Sequence, residues 1–445
     1  MDKVIEQILN FKQSDLPEYE RYLMWQGGWF GPHLVKGKGI YVEDIDGKKY
    51  IDCTSMAWVL LLGYSHPEVN QVVKEQLDYL TQVDPQFRSP ARYILAKRVA
   101  ELAPGDLNRV LFTLGGGPSI EAALKVAIVN NPDAQQFIAL YYGYHGMTFQ
   151  TIAATHTATM AGGSHRGSGR LSHFLHNFVR VQNPYCYRCP YKLEYKDCRV
   201  LCADVLEDMI VKGISGPVAG VLLEPIQGGG GQIPLPVEYL QKVREICDKY
   251  KIILIFDEIQ TCFGRTGEWF AATLFGINPD VMVLGKAFGG GFPAGAIIVS
   301  DRIKGIEDEW YDFATFANHQ IAQVATLKMI EVIERDNILD NVKNVGSFIS
   351  NAIKKMINEF PQIGDVRGPG LHIGVELVKD PETKEEAGEE ALRFREVGRE
   401  LGVIWGMGSP KHNVIKIKPP LITTIEEAEK IVELFYECMR KVFKK

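Results

Sequence analysis

The sequence predicts an α/β protein built on parallel strands buried on both faces, and three observations carry that reading. Two short apolar runs, Ile252 to Phe256 and Asp280 to Leu284, stand on either side of a helical pattern, as parallel strands do. Each run stops abruptly in functional groups, the first in Asp257-Glu258 and the second in Gly285-Lys286, with glycines following at 289 to 291. Upstream, VLFTLGGGPSIEAALKVAI reads as a strand, a glycine turn and a helix, a layout whose backbone N–H groups suit an anion. In such sheets chemistry gathers outside the carboxyl ends of the strands. Asp257 and Lys286 are therefore expected to project into one crevice. A carboxylate and an amine held there suit a carbonyl cofactor with a basic ring nitrogen: the lysine closes a Schiff base and the carboxylate keeps the ring protonated.

Taken in order, residues 1 to about 35 mix helical periodicity with Tyr22, Trp25, Trp29 and Phe30, aromatics read as core or interface packing. GKGIYVEDIDGKKYIDC alternates like a hairpin with Asp46-Gly47 at its turn. Residues 66 to 103 predict two amphipathic helices, one on Val69, Val72, Val73, Leu77 and Leu80, the other on Ile94, Leu95, Val99 and Leu102. Further helices are expected around 321 to 357, 386 to 401 and 425 to 441. No repeat or low-complexity linker marks a boundary. Pattern divides the chain into an N-terminal segment (1–60) joining a small domain, a large cofactor-binding domain (61–325) and a C-terminal small domain (326–445).

Composition bounds the class. The 445 residues are 46% hydrophobic and 23% charged, ordinary for a soluble globular protein. A net charge of -6 and a pI near 6.0 leave no basic footprint for nucleic acid. No apolar run approaches the roughly 20 residues that span a bilayer. The first residues are charged throughout, with no signal-peptide core, and eight cysteines in so long a chain are no disulfide framework. A cytoplasmic protein is expected.

LIFDEIQTCFGRTG followed by PDVMVLGKAFGGGFP resembles the signature of the class III aminotransferases, pyridoxal phosphate (PLP) enzymes of the fold type I architecture. The resemblance covers nearly the whole chain and extends to the 4-aminobutyrate and ornithine aminotransferases and to related amino-acid racemases. It implies a large, mostly parallel seven-stranded sheet domain, a smaller α/β domain, PLP as cofactor, and catalysis by Lys286 and Asp257. Lys286 would form the internal aldimine, Asp257 would pair with the pyridine nitrogen, and Gln260 would lie near the ring 3-oxygen. Singly, Asp257 reads as a helix cap and Lys286 as a solvated loop lysine. Together, 29 residues apart in one motif, they point to chemistry.

Further segments extend the resemblance. The glycine turn implies a phosphate site at Gly116 and Gly117, although the usual Ser-Gly-Ser/Thr-Glu-Ala-Asn-Glu wording survives only as Gly116 and Glu121. YYGYHGMTF implies Tyr144 stacked on the pyridine face with His145 beside it. AGVLLEPIQGGGG implies Glu224 near the cofactor; its other reading is a buried carboxylate paired with a structural arginine. DFATFANHQIAQVA resembles a loop whose threonine reaches the neighbouring subunit's PLP, which carries over to Thr315, while Asn318, His319 and Gln320 replace the usual Gly, Asn and Pro. An active site shared in this way implies a homodimer or a higher assembly.

The departures bear on substrate. Members that use glutamate and 2-oxoglutarate carry two arginines and a glutamate that parks the second. Those three positions are Met147, Lys416 and Gly229 here. Arginine grips a carboxylate with a two-pronged fork, whereas lysine offers a point charge and methionine an adaptable apolar wall. Another anchor is expected, from Lys416, Lys418, Arg166 or Arg170, or a substrate without the usual α-carboxylate. PYCYRCPYKLEYKDCRVLC spaces Cys186, Cys189, Cys198 and Cys202 as C-x2-C-x8-C-x3-C. Four thiolates would suffice for zinc, but relatives read as broad-range aminotransferases and racemases carry a similar insert with no metal in their mechanism, and none is expected in the site. The function read from the sequence is PLP-dependent transfer of an amino group from an ω-, β- or related amino compound to a 2-oxo acid. The alternative is an amino-acid racemase or epimerase of the same family. The intact Asp257/Lys286 pair argues against a binding protein without turnover.

Overall fold

Strands with unbroken apolar runs and strands that alternate with polar residues sort into two different sheets. The structure, a computed structural model, describes residues 2–24, 31–156, 177–309 and 312–444; Trp25, Trp29, Phe30, Arg166 and Arg170 lie outside the described residues. In chain order the strands are β1 (Leu34–Lys38), β2 (Tyr41–Asp44), β3 (Lys49–Cys53), β4 (Leu107–Thr113), β5 (Gln136–Leu140) and β6 (Phe178–Val181). There follow β7 (Val218–Leu223), the short pair β8 (Ile226–Gln227) and β9 (Ile233–Pro234), β10 (Ile253–Asp257), β11 (Val281–Leu284) and β12 (Gly295–Ser300). The last four are β13 (Ile363–Arg367), β14 (Ile373–Leu377), β15 (Val403–Gly408) and β16 (Val414–Ile417).

The apolar strands make a seven-stranded sheet in the order β4-β12-β11-β10-β7-β5-β6. From β11 to β6 every neighbouring pair is parallel, and β12 runs antiparallel to both β11 and β4. All residues of β7, β10, β11 and β12 are buried, as a sheet covered on both faces requires. The helix Gly116–Asn130 crosses one face, against β7, β11 and β12. This is the mostly parallel α/β sheet of the fold type I transferases that the sequence implied.

The second sheet runs β1-β2-β3-β15-β16-β14-β13, so the N-terminal hairpin joins the C-terminal strands through the parallel pair β3 and β15. The predicted turn is present: Asp44 Oδ1 accepts the N–H groups of Asp46 (3.1 Å) and Lys48 (2.9 Å), and Gly47 takes φ +81°. The segment IGDVRGPGLHIGVELV forms β13 and β14, antiparallel.

The helices differ from expectation in two places. The segment 321 to 357 is two helices, Gln320–Arg335 and Ile338–Lys355, because Asn337 turns left-handed at φ +50° and stops the first. Helices Pro67–Leu77 and Pro90–Leu102 bury Val69, Leu95 and Val99 but leave Leu77 and Ile94 exposed, and Leu80 falls beyond the first helix and is also exposed. Their apolar faces are wider than the core they cover. The helix Gly388–Leu401 forms as expected, and Ile425–Phe443 starts with a capping box, Thr424 Oγ1 accepting from Glu427 N and Glu427 Oε2 from Thr424 N. Among the described residues no helix is long and apolar enough to cross a membrane.

Candidate active site

Because β10 and β11 are parallel neighbours, with Asp257 opposite Val283, their carboxyl ends deliver Asp257 and Lys286 to the same place. Both line a cavity of about 350 Å³, with Gly116, Gly117, Tyr144, His145, Met147, Thr148, Glu224 and Gln260 also in its wall. Asp257 is 4% exposed. Its Oδ1 accepts from Ile259 N (3.1 Å), and its Oδ2 lies 2.8 Å from His145 Nδ1, which must donate because a carboxylate only accepts. His145 N in turn donates to Thr155 Oγ1 (3.0 Å), fixing the ring beside the carboxylate. The helix-capping reading of Asp257 belongs to its neighbour instead. Alternation turns Glu258 to the other face, where it accepts from Ala271 N (2.9 Å) and Ala272 N (2.6 Å) at the start of helix Ala271–Phe275, and burial pushes it up to about 7.

Lys286 is no solvated loop lysine. Its backbone adopts φ +50°, a strained value for a residue with a β-carbon, where the chain leaves β11. Burial lowers the pKa of its amine, opposed by the charges of Asp257 and Glu224. A buried amine of this kind spends more of its time as the free base. Glu224 is 3% exposed and accepts from Tyr144 N (2.9 Å) and Gly228 N (2.8 Å); it pairs with backbone amides rather than an arginine. Burial raises it to about 6, with Asp257 adding to the shift and His145 opposing it.

The helix Gly116–Asn130 points its N-terminus at this cavity, tied to the end of β11 by Ser119 Oγ, which donates to Leu284 O at 3.0 Å. Glycine is required at the contact. A β-carbon on Gly285 would come 3.1 Å from the Gly116 backbone, one on Gly116 2.8 Å from Ile259 Cδ1, and one on Gly117 2.8 Å from Thr148 Cγ2. The bare first turn leaves N–H groups facing the cavity, the form an anion site takes. A phosphorylated pyridine aldehyde needs an amine, a buried carboxylate for the ring nitrogen, and an anion cradle; all three line this one cavity.

Beside Lys286, though not among the residues that line the cavity, the structure groups the candidate anchors Lys416 and Lys418 with Trp58, which the sequence reading left out. Ser55, Met56, Ala57 and Trp58 all have positive φ (45° to 69°), a left-handed turn that costs roughly 1–2 kcal/mol per residue. Asp52 holds it by accepting from Thr54 N (2.7 Å) and Met56 N (3.0 Å). The turn lays the Trp58 ring among three lysine amines, with Nζ of Lys286, Lys416 and Lys418 at 5.4, 5.0 and 4.3 Å from its centroid. Lys416 is 3% exposed and, among the described residues, its amine makes no hydrogen bond or ion pair. Burial lowers it to about 8, with Glu224 opposing and Lys286 adding. Gly406 and Gly408 make room for its chain: a β-carbon on Gly408 would meet Lys416 Cε at 2.1 Å. Gly229 is explained too, since a β-carbon there would lie 2.8 Å from Tyr144 Cβ. Lys416 and Lys418 were expected from the sequence as candidate anchors; nothing local announced Trp58.

Two predicted groups lie apart from this cavity. Thr315 is exposed, its carbonyl accepting from Gln82 Nε2 (2.7 Å), and it does not line the cavity of its own chain. Cys186 is exposed and Cys189, Cys198 and Cys202 are half-buried rather than packed away. Among the described residues no three His, Cys, Asp or Glu side chains come together in a group able to hold a metal.

Comparison with known proteins places this geometry. A family model for class-III aminotransferases matches residues 30–439. The acetylornithine aminotransferase of Methanosarcina acetivorans is 33% identical, over 96% of this chain and 96% of its own. The leucine/methionine racemase of Thermococcus litoralis is also 33% identical, over 88% of this chain and 86% of its own. Among solved structures, an amine transaminase from an uncultivated Pseudomonas species in its PLP-bound form superposes with a TM-score of 0.86 at 28% identity, covering 94% of this chain and 98% of that one.

Proposed function

Because this chain belongs to the class III aminotransferases, which are PLP-dependent enzymes, we propose that Lys286 carries the cofactor and that the protein moves an amino group from an ω- or β-type amine bearing an acid group to a 2-oxo acid. The observation that carries the substrate class is Lys416, a buried ammonium with no carboxylate partner among the described residues, beside Lys286 at the same tryptophan face. An uncompensated buried charge is unfavourable unless a ligand completes it. The acid group of the substrate supplies that partner, and Met147 lines the wall at the position of the first of the two arginines.

The cofactor, when bound, supplies a ring able to take up the electron pair left by a departing proton. The chain's own residues do the rest. Asp257, held in orientation by His145 and Ile259 N, would accept a hydrogen bond from the ring nitrogen and hold its proton in place. Gly116 and Gly117 would offer backbone donors to the phosphate, Tyr144 would cover a ring face, and Gln260 would meet the ring 3-oxygen. The Lys286 amine, biased toward the free base by burial, takes the proton from the amine-bearing carbon and returns it one position along. Glu224, with an affinity for its proton near neutrality, sits in the same cavity to balance the lysine charges.

Thr315 is read as serving a neighbouring subunit. Its exposure, together with exposed Phe313 and Phe316 on the same loop, supports a homodimer with the site at the interface, and the large domain of residues 61–325 as the part that holds the cofactor. A panel of amines and amino acids, scored by bleaching of the bound cofactor's visible band, tests the reading. Turnover of acidic ω- or β-amines with a 2-oxo acid is expected; a panel on which only amines without an acid group react would overturn the substrate class. A racemase reading is favoured by two relatives, the leucine/methionine racemase and an alanine/serine racemase of Pyrococcus horikoshii. Loss of optical activity from one enantiomer with no oxo acid present would select it.

A further inference from the structure

Lys418 is 0% exposed, one residue past β16, and it has no acidic partner among the described residues. Its amine lies 2.9 Å from Gln260 Oε1, 2.9 Å from His372 Nε2 and 4.3 Å from the centroid of the Trp58 ring. His372, also 0% exposed, has its Nδ1 3.0 Å from Gln232 Nε2. These contacts form one line. Either end of the Gln232 carboxamide fits His372 Nδ1, because the Gln232 Oε1 is buried with no other partner, so the line holds with either imidazole tautomer. The directed contact is the last: a Lys418 N–H donates to Gln260 Oε1.

The groups facing Lys418 disfavour its charged form. Burial acts first to lower its pKa far below the usual lysine range, and the positive charges of Lys416, Arg265 and Lys286 push the same way, with only Glu224 opposing. Burial likewise keeps His372 neutral, with the charges of Arg265 and Lys416 acting the same way.

With Oε1 of Gln260 taken by Lys418, the other end of the carboxamide is left for the cavity. Gln260 lines it, and among the described residues its Nε2 has no protein partner. An amide is nearly symmetric in shape, so without an outside contact either its oxygen or its N–H₂ can face inward. An oxygen there would repel the cofactor's ring oxygen, whereas an N–H₂ would stabilise it.

We propose that Lys418 is a positioning residue: it locks the Gln260 carboxamide so that the ring 3-oxygen of the cofactor always meets a donor. This rests on the reading of the cavity as the PLP site with Gln260 beside that oxygen. Removing a donor from an oxygen that carries negative charge weakens the form in which that charge is present, so the pH midpoint of the bound cofactor's visible absorbance change should rise.

The test is a spectroscopic pH titration of the PLP-loaded parent, Lys418→Met, Gln260→Ala and the double variant. The two single variants should each raise the midpoint by about one pH unit, and the double variant should rise no further than either. Thermal unfolding of the cofactor-free proteins checks that each variant is folded. Lys418 could instead act through its charge alone, independently of Gln260. In that case the two shifts would add in the double variant, and the proposal would be overturned. A midpoint in Lys418→Met equal to the parent's overturns it as well. A parent protein that shows no visible cofactor band at any pH removes the PLP reading itself, and the proposal with it.

Discussion

Replacing Lys416 with methionine should stabilise the cofactor-free protein while weakening its hold on acidic substrates. The two side chains are of similar length, and the lysine amine makes no hydrogen bond among the described residues, so little contact is lost. The magnitude follows from proton linkage. Folding lowers the Lys416 pKa from an ordinary 10.5 to about 8, which at ~1.4 kcal/mol per tenfold change in proton affinity corresponds to about 3 kcal/mol. Below pH 8 both folded and unfolded chains carry the proton, and the folded state bears the whole penalty. Between pH 8 and 10.5 the folded state releases its proton first and the penalty shrinks. Above 10.5 both are neutral and the difference vanishes. Urea unfolding of parent and variant should therefore show the variant ahead by about 3 kcal/mol at pH 7, with the gap largely closed by pH 10.5. A gap that is absent at pH 7, or that persists unchanged above pH 10.5, refutes the idea of a strained buried charge. The ammonium is still about nine-tenths protonated at pH 7, so the same substitution should raise KM for acidic substrates and leave acid-free amines unaffected.

Three more perturbations bear on the site. Lys286→Ala should abolish amino transfer and leave no cofactor attached after borohydride reduction, read by intact-protein mass. Asp257→Asn keeps the shape but presents an amide toward the ring nitrogen; transfer should fall by roughly 10²- to 10⁴-fold with cofactor still bound, measured by single-turnover absorbance. Gly229→Glu should not restore a parked-arginine device, because its β-carbon would press on Tyr144 Cβ at 2.8 Å. Overpacking of this order destabilises by about 1–3 kcal/mol, and a lower denaturation midpoint with weaker cofactor retention is the expected readout.

Much of the fold was legible because its signals are local. The unbroken apolar runs of β10 and β11, the hairpin at Asp46-Gly47 and the helical periodicity of the C-terminal segment each depend on backbone hydrogen bonding over a few residues, which the order of side chains records directly. Exposure of Leu77 and Ile94 was not legible, since an apolar helical face does not say how much of it the rest of the chain covers.

The sequence by itself determined that an amine at 286 and a carboxylate at 257 close neighbouring parallel strands, with a glycine-led helix end nearby. Strand direction, strand length and the point where apolar residues stop are enough for that. Only the tertiary structure decided that His145 holds Asp257 from 112 positions away, that Lys418 meets Gln260 across 158, and that a left-handed turn puts Trp58 among three lysines. The first joins two strands of the large sheet, and the other two bring the ends of strands from separate sheets together. Their partners are chosen by how the packed layers meet in space, and no periodicity along the chain encodes that distance.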